Sequence, residues 1–119
     1  MTRTAICIAK TIIIGIIIIV LAFLPVNLNN GHNNGFDKVY HFAAFFCLAF
    51  TLLLVWRRGS LWILLGVIIL GGLIELTQPL IGRQSELADF VANGVGSIAG
   101  VVISHKRLRW LCLARDFNN

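Results

Sequence analysis

Apolar residues gather into four long runs along this chain, separated by short polar breaks. The first run, residues 5–24, has an Ile-rich centre at 12–20 and stops at Pro25. A stretch rich in Asn and Gly follows at 27–38, a composition that forms loops. The second run, 39–56, ends at Arg57-Arg58-Gly59-Ser60. The third, 61–80, is broken by Gly82-Arg83-Gln84-Ser85, and the fourth, 87–104, passes into His105-Lys106-Arg107. A helix crosses ~30 Å of hydrocarbon with ~20 residues, so each run has the length of one span. The pattern predicts an all-α integral membrane protein, a four-transmembrane-helix bundle over residues 1–104. Residues 105–119 form a short basic interfacial C-terminal segment in the cytoplasm. Arg3 and Lys10 ahead of about 14 apolar residues also fit a signal peptide. No small-x-small cleavage site follows, and the first run reads as a retained span.

Composition leaves little room for any other class. Hydrophobic residues make up 58% of the 119 residues and charged ones 13%, with a mean hydropathy of +0.88. Soluble domains are nearer ~45–50% apolar and ~25% charged, and a water-soluble globule is ruled out. Three cysteines, Cys7, Cys47 and Cys112, without a C-x-x-C pair exclude a zinc or disulfide framework.

The net charge of +5 acquires meaning only when the charges are located. Arg3, Lys10, Arg57, Arg58, Lys106, Arg107, Arg109 and Arg115 fall on one membrane face, against Lys38 and Arg83 on the other. The positive-inside rule then puts both termini in the cytoplasm. The basic excess is a topology signal, and nucleic acid is not an expected partner; the lipid bilayer is. Trp56, Trp62 and Trp110 fall at the inner boundary, where interfacial belts form.

Acidic residues are distributed the other way: Asp37, Glu75, Glu86 and Asp89 at the outer side and Asp116 inside. At 1.5 Å per residue Glu75 lies roughly 9 Å below the outer boundary, and Asp89 and Asn93 ~3–9 Å in. His41 is ~3 Å in on the second span. Three helices thus bring polar groups to one layer. Asp37 and Lys38 both neighbour His41 on a helix, while Glu75/Gln78 and Asp89/Asn93 each share a face. Pro79 has no amide hydrogen, which frees the Glu75 carbonyl and ends the third helix near Gln78. Ala88, Ala92, Gly96 and Gly100 make a small-residue ridge suited to close helix approach in lipid. The expectation is that His41, Glu75, Gln78, Arg83, Asp89 and Asn93 line one outward-open cavity, with Arg83 folded back over the carboxylates.

These residues also carry a resemblance. Asp37-Lys38-x-x-His41-Phe42-x-x-Phe45, then Glu75-x-x-Gln78, then Arg83-x5-Asp89-x-x-Ala92-Asn93-x-x-Gly96-x3-Gly100 resembles the VanZ-like family over residues 36–103. Members are small bacterial membrane proteins, and the founding member is associated with resistance to the glycopeptide teicoplanin. The resemblance implies a bacterial cytoplasmic (inner) membrane location and a cell-envelope role linked to antibiotic resistance. It supplies no mechanism.

Three functions fit the polar layer. In the first, it binds an anionic or zwitterionic amphiphile, a lipid headgroup or lipid-linked wall precursor, through Asp37, Lys38, Gln78, Arg83, Asp89 and Asn93. Lys38 and Arg83 would be the phosphate contacts. In the second, it is a membrane-embedded hydrolase or transferase with His41 or Glu75 as general base. In the third, the layer only fixes helix register in a structural subunit, and homo-oligomerisation is open. Asp37, Glu75, Glu86 and Asp89 against Lys38 and Arg83 leave an excess of negative charge. A zwitterionic or cationic ligand, a divalent metal or a neutral Glu75 would relieve it. No cofactor is identified, and no residue is assigned as a metal ligand.

Overall fold

The computed structural model describes residues 3–23, 36–82 and 85–116, with the backbone alone for 3–4, 23, 36 and 109–116. Four α-helices follow one another: α1 (Arg3–Phe23), α2 (Phe36–Val55), α3 (Ser60–Thr77) and α4 (Leu87–Asp116). A 3-10 turn at Gln78–Ile81 extends α3, with Pro79 in its first turn and Gly82 closing it at φ 78°. The missing amide of Pro79 ends regular α-helix at this point, and the left-handed backbone at Gly82 is one that glycine adopts at no steric cost. All four helices are long and apolar enough to cross a membrane, and there is no strand among the described residues.

The boundaries differ from the sequence reading in two places. α2 begins at Phe36, ahead of the apolar run, so Asp37 and Lys38 stand on the helix and not in the loop before it. Asp37 in the first turn complements the positive end of the helix dipole. α4 runs for 30 residues without interruption. The basic segment is therefore a continuation of the fourth helix, not a separate element.

The core of the bundle is the contact between α2 and α4, which run parallel. A Cβ placed on Gly96 or Gly100 would collide with the backbone carbonyl of Phe42 or Phe46 respectively. Backbones at this distance tolerate no side chain, which is the use of small residues between membrane helices. Farther along the same crossing, the Ser104 hydroxyl donates to the Phe50 carbonyl at 3.3 Å. Phe42, Phe46 and Phe50 stack along α2 with ring centroids 6.2 and 6.0 Å apart. The Arg107 guanidinium lies 5.9 Å from the Phe50 ring, within cation–π range. Phe45, Leu48, Ala49 and Leu53 of α2 meet Ile63, Val67 and Ile74 of α3 and Val101 of α4 in the apolar core. α1 contributes Ile18 and Ala22 and leaves most of its Ile and Val side chains exposed.

Candidate functional site

The end of the bundle where α2 and α4 begin and α3 finishes collects the polar side chains. His41, on the second turn of α2, is at their centre. Its Nδ1 lies 3.0 Å from Oδ1 of Asn93 on α4. With the proton on Nδ1 the ring donates to that oxygen, and Nε2 is turned toward two carboxylates. Asp89 Oδ2 is 3.9 Å from Nε2 and Asp37 Oδ1 is 4.0 Å from it. Both distances exceed hydrogen-bond length. Glu75 Oε1 of α3 lies 4.0 Å from Nδ1.

Lys38 is already occupied. Its ammonium donates to Glu86 Oε2 at 2.8 Å and stands 3.6 Å from Asp89 Oδ1. Glu86 entered the sequence reading only as part of a charge sum, yet it holds the expected phosphate contact. No local spacing signals this pairing, because the partners are 48 residues apart.

Burial makes the rest of the cluster unusual. Glu75, Gln78, Asp89 and Asn93 are 8, 2, 2 and 1% exposed. Among the described residues, neither Glu75 oxygen has a hydrogen-bond partner of good geometry, although the Glu86 backbone amide faces the carboxylate. Asp89 Oδ1 and Asn93 Nδ2 likewise lack a hydrogen-bond partner among the described residues. Asn93 is pressed against α3 where Gly71 leaves room; a Cβ there would be 3.3 Å from Nδ2. A neighbouring turn of α4 is tied internally, as Ser97 Oγ donates to the Asn93 carbonyl at 2.7 Å. Four carboxylates thus surround one ammonium and one imidazole. In a low-dielectric interior an excess of one charge sign is costly.

A separate feature adjoins the cluster. A partly open cavity of about 600 Å³ lies between α1, α2 and α3. Its walls are Ile18, Leu21 and Ala22 of α1, Tyr40, Ala43, Ala44, Phe45 and Cys47 of α2, and Ile74 of α3. Asp37, His41 and Gln78 give it one polar end. This volume is within the range of small-molecule sites.

The expected residues converge on His41, and some of them also line this cavity. His41 and Gln78 line the cavity, together with Asp37, whereas Glu75, Asp89 and Asn93 pack around His41 without lining it. The cause is the glycine contact of α2 and α4, which brings α4 so close that its polar stripe meets α2 directly. Arg83, expected to cover the carboxylates, lies outside the described residues. The apolar walls were missed from sequence because three helices share them and no single helix carries a pattern for them. No family model, curated protein or solved structure matches the chain.

Proposed function

We propose that this protein is a multi-pass membrane protein of VanZ-like type in the bacterial cell envelope, which binds a zwitterionic amphiphile at its polar end. The observation that carries the reading is the 600 Å³ apolar cavity with Asp37, His41 and Gln78 at one end. An apolar wall with a few convergent polar groups is the usual form of a small-molecule site. The two parts of an amphiphile match the two parts of the cavity. Lys38 is held by Glu86 and Asp89, so at this end of the bundle the described residues offer no spare Lys or Arg for a purely anionic head. A zwitterionic head places its ammonium toward Asp37 and leaves its phosphate to the solvent side. In the reading adopted, the basic residues mark the cytoplasmic face and the polar end faces outward.

A second reading is favoured by the orientation of His41. Its ring is fixed by Asn93 and reaches the cavity, as a general base in a hydrolase or transferase would. Glu75 does not line the cavity, and it is the weaker candidate for that role.

The test is the lipid retained by protein purified in mild detergent, measured by native mass spectrometry. Wild type is expected to keep a phosphatidylethanolamine-like lipid. Ala44→Trp, which fills the cavity, and Gln78→Leu, which removes an amide from its polar end, are expected to keep less than about a tenth of it, the size of a lost ~1.4 kcal/mol. Equal retention by all three proteins would overturn the reading. Release of a cleaved headgroup by wild type and not by His41→Ala would move the assignment to the hydrolase.

A further inference from the structure

The buried carboxylates pose a problem that the amphiphile alone does not solve, because Asp89 does not line the cavity. Asp37, His41 and Asp89 each offer one donor atom, and the three atoms lie within 4.8 Å of one another. They comprise one imidazole nitrogen and two carboxylate oxygens. Donors around one divalent ion at ~2.0–2.2 Å are roughly 3–4 Å apart, so the triangle closes on an ion with sub-ångström side-chain adjustment. The mixed nitrogen and oxygen set suits a borderline transition metal more than calcium or magnesium, which take oxygen alone.

A second observation points to a ligand independently of that spacing. The Asp89 side chain is 3% exposed and aims Oδ2 at the His41 nitrogen, while its Oδ1 has no hydrogen-bond partner among the described residues. Its ion-pair partner Lys38 stands 3.6 Å from Oδ1 and shares the same ammonium with Glu86 at 2.8 Å. One ammonium shared between Glu86 and Asp89, with Asp37 beside them, leaves negative charge over, and a cation between Oδ2, Nε2 and Asp37 would offset it. The far side of the ring supports the same assignment. Metal-bound histidines almost always give their second N–H to an acceptor that fixes the tautomer, and His41 Nδ1 has such an acceptor in Asn93 Oδ1 at 3.0 Å.

We propose that Asp37, His41 and Asp89 form a binding site for one divalent transition-metal ion of the zinc or manganese class. The site has three protein donors and one open position, the arrangement of zinc sites that bind a further ligand. Asp37 is half exposed, so the ion enters from the solvent side. The proposal goes beyond the amphiphile reading and can fail separately, since the metal alone is the probe.

The experiment uses tag-free full-length protein in detergent, stripped with a chelator, titrated with Zn²⁺ or Mn²⁺ and passed over a desalting column. Bound metal is counted by elemental mass spectrometry and affinity is measured by calorimetry. Wild type is expected to retain close to one ion per chain. His41→Ala and Asp37→Asn are expected to bind at least tenfold more weakly, and His105→Ala to bind as wild type does. Asp37→Asn alters a half-exposed side chain and tests the site even if His41→Ala fails to fold. Two results would overturn the proposal. One is stripped wild type that takes up no metal. The other is Asp37→Asn binding with unchanged affinity and stoichiometry.

Discussion

His41 and Glu75 are neighbours at 4.0 Å, yet their substitutions should behave differently. His41 makes a hydrogen bond to Asn93, and its removal leaves a buried amide oxygen without a donor. His41→Ala is expected to cost about 1–3 kcal/mol, the usual penalty for an orphaned buried polar group, read as a lower melting temperature in detergent. Glu75 makes no hydrogen bond of good geometry to lose. Glu75→Gln keeps the shape and removes the formal charge, and it is expected to stay within about 1 kcal/mol of wild type or to be more stable. A loss of 3–5 kcal/mol, the size seen when a buried ion pair is broken, would show that the Glu75 charge is held by a partner such as His41, 4.0 Å away. The mixed spacing of Asp37, Lys38 and His41 made their shared helix face legible in the sequence. The bond from His41 to Asn93 was not legible, because it joins residues 52 apart in the chain and depends on how far α4 slides along α2.

At the scale of the helices, the glycines of α4 are not equivalent. Gly96 and Gly100 face α2 and have no space for a methyl group, whereas a Cβ on Gly94 meets nothing within 4 Å. Gly94→Ala is therefore expected to be neutral or to stabilise by up to about 1 kcal/mol, the intrinsic gain of Ala over Gly in a helix. Gly96→Ala and Gly100→Ala are expected to destabilise by roughly 1–3 kcal/mol, as overpacked contacts do, and to loosen the His41–Asn93 bond. Equal effects at all three positions, measured by thermal unfolding in one detergent, would contradict the parallel α2–α4 contact. The small-residue ridge announced this contact in advance, because four-residue spacing on one face has few other uses in lipid. The starts of α2 and α4 were less legible. Polar residues such as Asp37 and Lys38 read as loop by composition, but first-turn acids and Lys–Glu pairing keep them helical. Pro79, by contrast, fixed the end of α3 to within a residue, since a missing amide hydrogen has the same consequence in any surroundings.

For the whole molecule, the arrangement of charge predicts direction. Single cysteines on a background lacking Cys7, Cys47 and Cys112 should report it with an impermeant thiol reagent on intact cells. Asn30→Cys is expected to label and Arg58→Cys to label only after permeabilisation; the reverse pattern would turn the polar end toward the cytoplasm. Direction matters because α4 joins the two faces as one piece. Thirty helical residues make a rod of ~45 Å, against ~30 Å of hydrocarbon. Asp89 and Asn93 are near one end of that rod, and the bases from Lys106 onward occupy the other. Without a hinge between them, the rod is a lever. A 10° tilt about its polar end sweeps the far tip through roughly 8 Å, more than the width of a side chain. Because Gly96, Gly100 and Ser104 fasten α4 to α2 along the way, such a displacement of the basic tip requires the two helices to tilt as a pair.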